Sequence, residues 1–183
     1  LSDNSVAAGV WVLYGVEKLG VTANYSNPSL TNMSTSIVRV ELDANRTFLA
    51  FGNTDCYGIV YDASTQTWGS ATLIRSGVAA GAFSACLSAT NQVLVVSCNS
   101  TTALQAVALT ISTNTITVNT ACTATLAGNF SSMGQLIAVG ASFVFSYGRA
   151  TTTAGIRAIT ISGTTVTVGA ETALDATVAV AAN

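Results

Sequence analysis

The side chains that could carry chemistry in this chain are few. Its 183 residues include eight carboxylates, six basic side chains, four cysteines and no histidine. Without histidine, neither a Ser-His-Asp nor a Cys-His nucleophilic arrangement can be assembled within the chain. Cys56, Cys86, Cys98 and Cys122 show no CxxC spacing and have no histidine to complete a zinc set, so metal binding through them is not expected. Stretches such as Val95-Val96-Ser97-Cys98 place them in strand-like surroundings, where a free cysteine behaves as a small buried hydrophobe. Acid–base catalysis needs two carboxylates brought together, and Glu41 and Asp43 have the i, i+2 spacing that sets both on one face of a strand. A plainer reading puts them at the end of an exposed strand beside the turn Asp43-Ala44-Asn45, where Asp is favoured because it bonds local backbone N–H groups. That reading is preferred, because chemistry would require an enclosed and perturbed pair. Asp62 likewise opens a turn, and neither GxxxxGK[ST] nor GxGxxG occurs. No catalytic, cofactor-binding or metal-binding residue is assigned, and a non-enzymatic protein is expected.

Recognition leaves a different set of candidates. Trp11, Tyr14 and Trp68 could offer ring faces to a ligand such as a glycan, although rings within strands more commonly pack against neighbouring elements. Nucleic acid is not an expected partner. Lys18 is the only lysine, and Arg39, Arg46, Arg75, Arg149 and Arg157 are scattered singly, whereas phosphate binding needs clustered cations. Charged residues make up 8% of the chain, against a usual fraction of about a quarter. A surface so poor in charge is weakly protected against association, which points to burial against other chains. The mean hydropathy of +0.55 comes from Ala and Val diluted with Thr and Ser. No stretch reaches the ~18 uninterrupted apolar residues of a spanning helix, so membrane insertion is not expected.

These residues must be positioned by strands. No window sustains the i, i+3, i+4, i+7 pattern of a helix, whereas period-2 alternation recurs throughout. Ala158-Ile159-Thr160-Ile161, a turn at Ser162-Gly163-Thr164 and Thr165-Val166-Thr167-Val168 read as a hairpin. Ala108–Ile111 with Thr115–Val118, and Ile59–Tyr61 with Thr67-Trp68, repeat it. Before each lies a short apolar run of the kind buried on both faces: Phe48–Gly52, Val93–Ser97 and Phe143–Gly148. Phe48, Val93 and Phe143 recur at spacings of 45 and 50 residues, and Val10–Gly15 supplies an N-terminal copy. Four strands in about 40 to 50 residues is the period of a propeller blade. The expected fold is therefore all-β and β-propeller-like, a single domain of about four four-stranded antiparallel blades. Its units are approximately residues 36–81, 82–129, 130–176, and 1–35 together with 177–183, the termini sharing one blade.

The segments Ile159–Gly169 and Leu136–Phe145 resemble the repeats of β-propeller-like proteins of phage virions and bacterial surfaces. That resemblance implies a structural component of a virion or surface assembly, of the tail, fibre or head-decoration kind, located on the virion or an extracellular surface. Its partners would be other structural proteins or copies of itself. An alternative it implies is an adhesin domain recognising a host-surface glycan. A third is a degenerate glycosidase-like propeller, since Tyr61–Trp68 resembles a sialidase Asp-box with Asp62 one position early and Thr65 in place of glycine.

Overall fold

The computed structural model describes residues 11–12, 24–25, 37–79, 82–99, 102–149 and 154–174. Among these every regular element is a strand: β1 (Trp11–Val12), β2 (Asn24–Tyr25), β3 (Ile37–Glu41), β4 (Arg46–Gly52), β5 (Asp55–Asp62), β6 (Thr67–Trp68), β7 (Thr72–Ser76), β8 (Phe83–Ala89), β9 (Gln92–Cys98), β10 (Ala103–Ser112), β11 (Thr115–Val118), β12 (Cys122–Thr125), β13 (Phe130–Val139), β14 (Ser142–Arg149), β15 (Ala154–Ser162) and β16 (Thr165–Leu174). They form three antiparallel sheets of four or five strands. The first is β3-β4-β5 with β6 and β7 both on β5, the second β8-β9-β10 with β11 and β12 both on β10, and the third β13-β14-β15-β16. Beyond the pairing of β1 with β2, the unit expected from residues 1–35 and 177–183 lies outside the described residues.

Each sheet is a meander, and its second strand is the apolar run found in the sequence. Phe48, Val93 and Phe143 each pair with a residue on both sides, facing Val40 and Val60, Leu87 and Leu109, and Ala138 and Ile159. The three strands are thus equivalent, but the three residues do not share a face. Phe48 joins the main core, whereas Leu49, Phe51 and Ile59 form a separate cluster with Tyr57, Trp68 and Ala71 on the face turned away from the second sheet. Glu41 pairs with Thr47 across five intervening residues, while Ala89 pairs with Gln92 and Val139 with Ser142 across two, and Ser88 is a bulge between the pairs Ala89–Gln92 and Leu87–Val93. A shift of one residue moves a side chain to the opposite face of a pleated strand. Leu49, one position on, is the counterpart of Val93 and Phe143 in orientation.

The outermost strand of each sheet carries an extra residue at a matching place, and that of the first sheet a second at Ile74. Residues 69–71 stand opposite 59–60, 119–121 opposite 107–108, and 169–170 opposite 158. Such a bulge twists a free edge away from flat pairing with another chain. The sheets then stack. β8 touches both β3 and β13, β11 touches β5, and β16 touches β10 and β12, so the second sheet contacts the first on one side and the third on the other. A single core runs through both seams, including Phe48, Val60, Val95, Leu109, Phe145 and Ile159.

Candidate functional site: the seams between the sheets

Several polar side chains of the described residues bond across the seams between the sheets. At the first seam Arg75, on β7, donates from Nη1 to the Ser97 carbonyl at 2.7 Å and to Ser97 Oγ at 3.2 Å, and from Nη2 to the Ala103 carbonyl at 3.4 Å. Burial lowers its pKa, and nearby Cys98 and Cys56 oppose that shift. At the turn end of the same seam, Asp43 accepts from the Asn45 and Arg46 backbone N–H groups at 2.9 and 2.8 Å. Arg46 in turn bonds Asp43 Oδ2 at 2.8 Å, the Thr113 carbonyl at 3.1 Å and Asn91 Oδ1. Asn114 reaches back from the second sheet to Thr67 Oγ1 at 3.0 Å.

The second seam holds the densest charge. Arg157 on β15 donates to the Thr125 carbonyl across the seam, to the Gly169 carbonyl at 2.9 Å and to Glu171 Oε2 at 3.2 Å. Arg149 pairs with the other Glu171 oxygen. Glu171 also accepts from the Ala127 backbone N–H at 2.9 Å. The side chains of Arg149, Arg157 and Glu171 are 12%, 8% and 8% exposed, so two guanidinium groups share one carboxylate away from bulk water. At the turn end, Gln92 donates to the Gly163 carbonyl at 2.7 Å. Comparison with family models, curated proteins and solved structures finds no match.

The residues singled out in the sequence fall into place differently. Glu41 is exposed and pairs with Arg39 on its own strand at 2.7 Å, and Asp43 is engaged in its turn, so the two carboxylates do not form an enclosed pair. Asp62 likewise closes a turn, accepting from the Ser64 backbone N–H at 2.8 Å and hydroxyl at 2.6 Å. Trp68 lies partly buried against Tyr61, with ring centroids 4.7 Å apart, in the cluster of Leu49, Phe51 and Ile59. Trp11 falls on β1, and Tyr14 lies outside the described residues. Cys56, Cys86, Cys98 and Cys122 are free thiols. Burial pushes the pKa of Cys56 and Cys98 up to about 12 and that of Cys86 to about 11, which keeps them protonated and unreactive at neutral pH. No group of three metal-ligating side chains occurs among the described residues.

Sequence reasoning missed the arginines as seam elements. Scattered single arginines are a weak signal by themselves. The available clue was that Arg46, Arg75, Arg149 and Arg157 have no acidic residue one or two positions away along the chain, which leaves partners distant in sequence.

Proposed function

We propose that this chain is a β-propeller-like module serving as a non-enzymatic structural component of a virion or surface assembly, of the phage tail, fibre or decoration kind. Its three sheets act as successive blades, with β3, β8 and β13 as the inner strands. Contacts of β8 with β3 and β13 support that order, and so does the bulge shared by the three outermost strands.

The observation that carries the reading is the direction of charge. Arg46, Arg75 and Arg157 donate to backbone carbonyls of an adjacent sheet, Arg149 pairs with Glu171, and Arg39 pairs with Glu41. All five arginines therefore have partners within the chain, Arg39 alone in an exposed pair, which leaves no cluster of free positive charge among the described residues to steer a charged substrate. Surfaces this poor in charge suit burial against protein neighbours. The purified chain is expected to form regular oligomers in electron micrographs and to show no turnover of glycoside, ester or phosphate substrates. Specific retention on a glycan array by a strictly monomeric chain, or turnover abolished by Glu41→Gln, would overturn the reading.

A further inference from the structure

Two guanidinium groups and one carboxylate leave the second seam with one positive charge in excess. Arg149 and Arg157 each pair with Glu171, and neither meets a second acidic side chain among the described residues. The further bonds of Arg157 go to the Thr125 and Gly169 carbonyls, which are dipoles and do not cancel a charge. A charge held away from water is costly unless a counter-charge accompanies it.

Donors are left over at the same place. Nε of Arg149, Nε of Arg157 and the hydroxyl of Tyr147 are buried and find no acceptor among the described residues. The register brings the three together. Tyr147 and Arg149 are two residues apart on β14, and Gly155 and Arg157 two apart on β15, so each pair projects from one face of its strand. Tyr147 stands directly opposite Gly155. Its hydroxyl lies 2.7 Å from where a Cβ of Gly155 would be, so the ring is laid over β15 on the side from which Arg157 projects. Stacking on Phe145, with centroids 5.6 Å apart, holds it there, and Tyr147 is 1% exposed. Glu171 closes the group from β16, opposite Arg157. Buried polar groups are nearly always partnered, and an unpartnered set marks the place of a water or an ion. Water would satisfy these donors but leave the charge.

We propose that Arg149, Arg157 and Tyr147 form an anion-binding site that takes one small, singly charged anion, a halide or a carboxylate of formate size. One negative charge neutralises the excess, whereas sulfate would overshoot it. Such an anion only accepts, and the site offers only donors. Enclosed in the seam, it serves as a structural ion joining the second and third sheets, and the proposal does not rest on the assembly reading.

Thermal melts of the full chain test it, with chloride or formate replacing gluconate, an anion too bulky for an enclosed site, from about 1 to 150 mM at constant ionic strength. The melting temperature of the native chain is expected to rise with saturation, by about 3 to 6 °C at ten times the dissociation constant. Tyr147→Phe keeps the charge and loses a donor that has no partner in the fold. It should shift the half-effect concentration upward by about tenfold, the worth of one hydrogen bond to a charged group. Arg149→Met removes the excess charge and should abolish the dependence. Equal rises in all three chains would be a general salt effect and overturn the site, as would a native chain indifferent to both anions. Asp175→Asn distinguishes a free ion from a carboxylate of the chain itself: dependence that appears only in that variant overturns the free ion. If Arg149→Met fails to fold, chloride nuclear magnetic resonance decides. Line broadening by the native chain that formate relieves and Tyr147→Phe weakens supports the site, and its absence overturns it.

Discussion

Thr113 is the residue at which local geometry and local chemistry disagree most. It adopts φ +53°, as Asn91 does at +59° and Gly163 at +62° in comparable turns, but only Thr113 is β-branched. Left-handed backbone costs an ordinary residue about 1–2 kcal/mol, and a β-branched side chain adds to the crowding. The carbonyl of Thr113 is what Arg46 uses, so the side chain itself can be exchanged without cutting that bond. Thr113→Gly should therefore stabilise the fold by up to about 1 kcal/mol after the added unfolded-state entropy of glycine. A thermal melt should show a rise of about 2–4 °C. Asp43 and Asp62 make a pH prediction at the same scale. Both carboxyls are held below the usual value, Asp43 chiefly by the Asn45 backbone N–H and Asp62 chiefly by the Ser64 hydroxyl. A lowered folded pKa stabilises the protein above the unfolded value of about 3.9, and that stabilisation is lost as pH falls through the folded values. Melts between about pH 2 and 6 should show native stability declining below about pH 4, and Asp62→Asn should make that decline shallower.

At the scale of elements, the seam between the second and third sheets depends on an unequal ion cluster. Removing Glu171 leaves two buried guanidinium groups without their carboxylate, and breaking a buried pair in this way costs about 3–5 kcal/mol. Removing Arg149 instead leaves the Arg157–Glu171 pair intact. Glu171→Gln should thus be far more destabilising than Arg149→Met in urea titrations, and equal losses would show that the cluster carries no net imbalance. Gly155 tests the packing of the same seam. A Cβ there would lie 2.5 Å from Cζ of Tyr147, whose side chain is 1% exposed, so Gly155→Ala should cost about 1–3 kcal/mol by overpacking. The strands themselves were legible because alternation and turn residues coincide, as at Ile159–Val168. Face assignment was not legible at Phe48, since a shift of one residue between sheets reverses the face and irregularities such as the bulge at Ser88 leave no mark in residue type. The seam also escaped the sequence. Arg75 and Arg157 bond carbonyls of residues 22 to 32 positions away, and backbone acceptors leave no trace in residue type.

Over the whole molecule, the low charge content and the way charge is used point to one solution property. With 8% charged residues and the arginines held inside the fold or in local pairs, few ionic groups remain to form bridges between copies. Association should then rest on apolar burial and neutral hydrogen bonds, which salt screens little. The seams obey the same rule internally, since Arg157 is nearly enclosed and Arg75 partly buried, both bonded to backbone carbonyls rather than to exposed charges. A salt series from about 50 mM to 1 M, monitored by light scattering at fixed protein concentration, should accordingly show an assembly that is maintained or slightly strengthened. Dissolution at a few hundred millimolar salt would show that exposed ion pairs hold the copies together. The pair Arg39–Glu41, with side chains 43% and 71% exposed, would then be the first place to look, because it is an exposed ion pair free to exchange partners. Arg39→Gln with Glu41→Gln removes that pair without touching either seam, so an assembly that survives the double substitution and the full salt range is one held by uncharged surface alone.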